Sequence, residues 1–313
     1  MIRGDDMAQL VKLYDYISRY ESNPYHYPSQ YIRLKKENWR KLQDRWLSEV
    51  NSSSKIVQES ESEPKKSKWL PFNRNQQTAE QHTNLNNPPL PNTEAQLKQY
   101  FLNQLYPIQL KWATSTISHE SFTKVSLRDK ETLKYFLQRF PDIYFLMYHP
   151  VFNIKKAPID AEIILISPFD IEIISFIHEH AEATILATND RKWTVESETN
   201  QKSILSPVIS LKRTDQIIKS ILQTNNIKIP IKKSIISYNN HILYTTEPYQ
   251  TNIIGKQDYP KWFEQKRALT SSLKSVQLKA MEALLSHCQT NAVRRPEWND
   301  EQHNSYYNDQ EEL

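Results

Sequence analysis

The chain has 313 residues, a formal net charge of +4 at pH 7, 38% hydrophobic and 24% charged residues. A mean hydropathy of −0.71 is polar for a wholly compact protein, so composition predicts a folded core plus unfolded chain. The mild basicity permits an acidic partner without demanding nucleic acid; one cysteine, Cys288, excludes a disulfide framework and a cysteine-rich zinc site; and two glycines, Gly4 and Gly255, exclude a P-loop, a GxGxxG turn and a Gly-x-Ser-x-Gly elbow.

Residues 7–50 are predicted to be helical. Leu10, Val11, Leu13, Tyr14, Ile17 and Tyr20 fall at 3-to-4 spacing, and Tyr31, Leu34, Trp39, Leu42, Trp46 and Leu47 continue a stripe. The basic residues Arg33, Lys35, Lys36, Arg40 and Lys41 lie around that stripe. They read as a solvated face, or as a hairpin that docks a protein partner.

Residues 51–92 are rich in Ser, Glu, Asn, Gln and Pro. Such a segment buries too little apolar surface to offset its chain entropy, so a disordered linker is expected, with "SKWLPF" a small apolar island in it. A folded domain is expected over 93–270, opened by a Thr93-capped helix. A second amphipathic helix carries Leu133, Phe136, Leu137 and Phe140. "IYFLMYHPVF", "AEIILIS", "IEIISFI" and "EATILAT" read as short strands. "SPVISLKRTDQIIKSILQTN" returns to helix, and "IPIKKSIISYNNHILYT" gives two strands around an Asn-Asn turn. Residues 271–313 are a C-terminal helix and an acidic tail, with Cys288 a core filler. The fold class is therefore α/β, a mixed sheet flanked by helices, with a helical N-terminal region. No apolar run nears the ~20 residues of a membrane helix, and the N-terminus lacks a signal peptide's apolar centre, so a soluble cytoplasmic protein without a membrane partner is expected.

The order helix, three strands, helix, two strands, with the acidic residues Glu131 and Asp160 in it, resembles the NERD, or nuclease-related, domain of Bacillus-type bacteria. The likeness extends to the start "MAQLVKLYDYISRY…YPSQYIRLKK". It implies the PD-(D/E)xK, restriction-endonuclease-like fold. Family members carry Gly-Glu at a helix start; Lys130-Glu131 keeps the glutamate. They carry an aspartate opening a strand, where Asp160 stands, then Glu-x-Lys ending the next strand. Here that strand offers Ser175-Phe176-Ile177, or, shifted, Glu172-Ile173-Ile174, and neither register has the lysine.

In such sites paired carboxylates hold Mg²⁺, the metal activates water, and the lysine offsets transition-state charge. The resemblance thus implies Glu131, Asp160 and Glu172 as remnants of a catalytic site, with Asp160 a weak metal ligand at most. No cofactor is expected, and Mg²⁺ only if the site is active through a relocated cation such as Lys192. Each has a plainer reading: Glu131 complements a helix dipole, and Asp160 bonds its own turn. His178, Glu179 and His180 are a weak metal signal without a Cys partner, and His149 before Pro150 is a turn residue. Lys155, Lys156, Lys212, Arg213, Lys232 and Lys233 are candidate contacts to DNA or RNA, if they gather near Asp160. Three functions follow: a degenerate nuclease-related binding protein, an active Mg²⁺-dependent nuclease, or a protein-interaction module.

Overall fold

We describe residues 7–55, 90–123, 131–155, 157–188, 191–198, 200–246, 248 and 250–295 of the computed structural model. The expected linker lies outside the described residues except at its two ends, as do Lys156 and the acidic tail.

The chain begins with β1 (Gln9–Leu13), α1 (Arg19–Ser22) and a long α2 (His26–Lys55), followed by α3 (Glu94–Trp112). Next come β2 (His119–Glu120), α4 (Glu131–Arg139), β3 (Phe145–Tyr148) and the hairpin β4 (Val151–Ile154) and β5 (Ala157–Asp160). Two central strands follow, β6 (Ile163–Ile166) and β7 (Ile171–Phe176). The small strands β8 (Thr184–Ala187), β9 (Lys192–Glu196) and β10 (Gln201–Leu205) lead into α5 (Pro207–Thr224). The chain then forms β11 (Ile231–Ile236), β12 (His241–Tyr244), β13 (Asn252–Ile254), α6 (Tyr259–Ala268), α7 (Ser275–Leu285) and β14 (Val293–Arg294).

The main sheet runs β1-β3-β6-β7-β11-β13. β6 is antiparallel to both its neighbours, whereas β1 with β3, and β7 with β11 and β13, are parallel. Strands buried on both faces read as continuous apolar runs, and β3, β6 and the first five residues of β7 are fully buried. The even residues of β7 face α4 and α6: Phe136 packs edge-on against Phe176, and Trp262 reaches Glu172. The odd residues share a face with Lys233, which pairs across the sheet with Ile173 and approaches Asp215 of α5. The α/β class and the mixed sheet between helices are as expected.

The N-terminus differs from expectation. Gln9–Leu13 is a strand, not a helix, and all five residues are buried. Its polar pair made the run look amphipathic, but both side chains are satisfied internally. Gln9 Nε2 donates to Asp142 O at 2.8 Å. Lys12 Nζ meets Glu21 Oε1 at 2.5 Å, Tyr16 O at 2.8 Å and Thr290 Oγ1 at 2.8 Å. Lys35 likewise leaves the solvated face assigned to it; it is buried and ion-pairs with Asp142 at 2.6 Å.

The core is also wider than residues 93–270. β1 belongs to the main sheet, and α7 reaches its edge of β3 and β6, where Gln277 Nε2 donates to Ile143 O and Ile166 O. The Asn-Asn turn does not make a hairpin. β11 stays in the main sheet, and β12 passes into a second sheet of order β10-β9-β8-β12. Buried Asn240 fixes that corner through Ser237, His180 and Ala183. Gly255 lies so close that a Cβ there would sit 3.1 Å from Ile242 N. No helix among the described residues is long and apolar enough to cross a membrane.

Lys12→Met should therefore destabilise the protein by about 2 kcal/mol, since it strips a charged donor from three acceptors. Thermal or urea unfolding reads this. An unchanged midpoint would contradict the tie between β1 and the C-terminal segment.

Candidate functional site

Glu172 is the one carboxylate on the central strand β7, and it lies near the strand's start, opposite Leu165 of β6. It is 2% exposed. Ser234 Oγ donates to its Oε1 at 2.5 Å and Trp262 Nε1 at 3.1 Å. Lys266 Nζ forms an ion pair with its other oxygen. Three elements, β11, α6 and β7, are thus joined at one buried charge. The neighbouring Asp170 is held by Lys232 Nζ at 2.6 Å and by Ser167 Oγ at 2.6 Å. Burial pushes the Asp170 carboxyl up, but Lys266, Lys232 and Ser167 together outweigh it and leave it below the usual carboxylate range.

Asp160 belongs to the other end of the sheet. It does not open β6; it closes β5 of the separate two-stranded hairpin, with an exposed side chain. Its backbone carbonyl accepts from Arg213 of α5 at 3.1 Å. β6 starts only at Ile163, which already pairs with Ile174, whereas Glu172 is two residues nearer the start of β7. Glu172 and Asp160 therefore do not converge. Glu131 begins α4 one turn before Tyr135, which stacks on Phe176 at the end of β7. It is at Asp160's end of the sheet, but on the α4 face, whereas Asp160's backbone is held from the α5 side.

The strand end where carboxylate-x-lysine was sought is occupied by aromatic rings. Phe176 stacks with Tyr135 and Tyr238 at 6.1 and 5.7 Å, and Tyr238 touches His178 and Tyr259. Phe263 of α6 stacks on Tyr135 and Tyr259 and carries Arg267 over its face. Ser175 is buried on the opposite, α5 face, and Ile177 donates its backbone N–H to Ile236 O. Among the described residues no group of three His, Cys, Asp or Glu could hold a metal ion. His178 and His180 are exposed, and Glu179 pairs with Lys202 at 2.7 Å. Lys192, the relocated cation, opens β9 in the second sheet and is exposed. Burial pushes the Cys288 thiol up to about 12, so it stays protonated as a filler.

The basic residues split. Lys212 and Arg213 lie in α5, with Arg213 on Asp160, and Lys155 follows β4 at the tip of the β4–β5 hairpin. Lys232 and Lys233 open β11 at the opposite end of the sheet. Sequence reading missed Lys266, Trp262 and the whole of α6; the signal was Pro260 at a helix start followed by Trp262, Phe263, Lys266 and Arg267 at turn spacing.

No family model matches the chain, and no solved structure matches it. An RNA 2',3'-cyclic phosphodiesterase of Geobacillus stearothermophilus is 52% identical over 46 residues, which is 15% of this chain and 15% of that protein.

If Glu172 is a structural charge, removing its partner leaves it uncompensated. Lys266→Met should cost about 3–5 kcal/mol, and Glu172→Leu/Lys266→Met should recover most of that loss. Urea unfolding of these two variants and of Glu172→Leu alone tests this. Simple additivity of the two single losses would refute the pairing.

Proposed function

We propose that this chain is a NERD-like, nuclease-related protein whose cutting centre is degenerate and whose role is to bind nucleic acid. The frame supports the first half. The run α4, β3, β6, β7, α5, β11 is helix, three strands, helix, strand, with the four strands side by side in chain order and the second antiparallel to the rest. With β4–β5 and β8–β10 set aside as insertions, that run agrees with the helix, three strands and helix on which the likeness rests.

The observation that carries the second half is the state of β7. Its carboxylate is locked to Lys266, Trp262 and Ser234 at one end of the strand, while the other end carries aromatic rings and Asp160 stands exposed on the β4–β5 hairpin. The site that the nuclease likeness implies puts two carboxylates and a cation around one phosphate. Glu131, Asp160, Glu172 and Lys192 do not supply that arrangement. The short likeness to an RNA phosphodiesterase makes RNA the first polymer to test, although it covers too little of either chain to carry that activity over. A second reading, a protein-interaction module, is favoured by the division of the basic residues between the two ends of the sheet.

Supercoiled DNA, linear DNA and RNA incubated with the protein and Mg²⁺ or Mn²⁺ should remain intact. Loss of preorganised charged groups typically costs about 10²- to 10³-fold in rate each. Gel shifts at low salt should show weak binding that falls steeply as salt is added, because phosphate contacts release counterions. Metal-dependent cutting abolished by Asp160→Ala would overturn the degenerate site. Absence of any binding would leave the interaction-module reading in its place.

A further inference from the structure

On the α5 side of the sheet, an open cleft of about 840 Å³ lies between the C-terminal half of α5 and the start of β11. Its origin is an incomplete pairing. β7 pairs with β11 from Ile231 onward, but β13 covers only Ser234 to Ile236. The outer edge of Ile231, Lys232 and Lys233 has no strand neighbour among the described residues, and the cleft opens against it.

The cleft has two kinds of wall. Leu222, Ile227 and Ile229 give an apolar side, and Lys219, Lys228, Lys232 and Lys233 give a cationic one. Asp215 is the one carboxylate in the lining among the described residues. Two of the lysines are committed. Lys219 donates to Asp215 Oδ2 at 2.7 Å, and Lys232 to Asp170 Oδ2 at 2.6 Å.

Lys233 is in a different position. It is 7% exposed, and its Nζ stands 4.0 Å from the same Asp215 Oδ2 that Lys219 already uses. That is an ion-pair distance but not a hydrogen bond. Its ammonium keeps donors that Asp215 does not use, and an anion in the cleft would take them. Lys228 is exposed and adds a second positive charge on the solvent side.

We propose that this cleft binds a nucleotide, with its phosphate between Lys233 and Lys228 and its base along Leu222, Ile227 and Ile229. Lysine binds phosphate as a point charge and needs no bidentate geometry. The volume falls within the about 300–1,000 Å³ usual for small-molecule sites. A bare phosphate would leave the apolar wall unused. A free mononucleotide and the end of a polynucleotide present the same chemistry. The inference stands on the cleft alone and does not depend on the nuclease-like frame.

Calorimetric titration of the full chain with inorganic phosphate, adenosine and uridine monophosphates, a short RNA oligomer and an acidic peptide is the test. The nucleotides should bind more tightly than phosphate alone. Lys233→Met should weaken them about tenfold, as expected for loss of a charge-assisted contact, and Lys228→Ala by about threefold. Lys228 is exposed, so its variant keeps the fold if Lys233→Met does not, and thermal melting checks both. Tighter binding of the oligomer than of a mononucleotide assigns the site to a polymer end, and equal binding to a free nucleotide. The proposal is overturned if no phosphate-bearing probe binds, if both variants bind nucleotide like the parent, or if the acidic peptide binds equally well at the same residues.

Discussion

The ion pair between Glu172 and Lys266 sets the terms for the rest of the molecule. A carboxylate on the central strand of a sheet is costly to bury unless charge and hydrogen bonds compensate it. Here Lys266 and Trp262 come from α6, and Ser234 from the adjacent strand. Compensation therefore requires α6 to lie across the sheet. That placement also puts Phe263 against Tyr135, and Tyr259 against Tyr238, so the aromatic layer at the far end of β7 is built by the same helix. A buried pair of this kind adds little net stability over an apolar one, but it is intolerant of losing either member. Its clearest effect is to fix where α6 docks.

The chemistry available at the two ends of the sheet follows from this division. At the Asp160 end the strand termini carry rings and isolated exposed carboxylates, with Glu131 and Asp160 approached from opposite faces. At the other end the carboxylates Asp170 and Glu172 are tied to lysines, and further lysines line a cleft. The frame is a mixed sheet between helices, with lysine-paired carboxylates at one end and aromatic rings at the other.

Legibility in the sequence tracked periodicity and failed where polar side chains were buried. α3, α4 and α5 have clear apolar stripes, and β6 and β7 are short apolar runs between Pro and Ser; all were readable. β1 was not, because Gln9 and Lys12 sit among apolar residues and imitate a helical pattern, while their partners Asp142 and Thr290 are remote in sequence. β9, β10 and β13 are half-exposed short strands whose pairing is set by tertiary contacts. At the site, the missing lysine of β7 was evident from Ser175-Phe176-Ile177. What the sequence could not reveal was that Glu172 is served by Lys266, 94 positions on in the numbering of the chain. The basic pair Lys232-Lys233 was visible, but its split between a lysine held by Asp170 and one standing 4.0 Å from Asp215 was not.

The claim at the centre of this account is that no metal centre forms around Asp160. Titration of Mn²⁺ into the full chain, followed by electron paramagnetic resonance of the free ion, measures this directly. The account predicts no stoichiometric binding across the low-millimolar range. One Mn²⁺ bound per chain and released by Asp160→Ala or Glu172→Gln would contradict it.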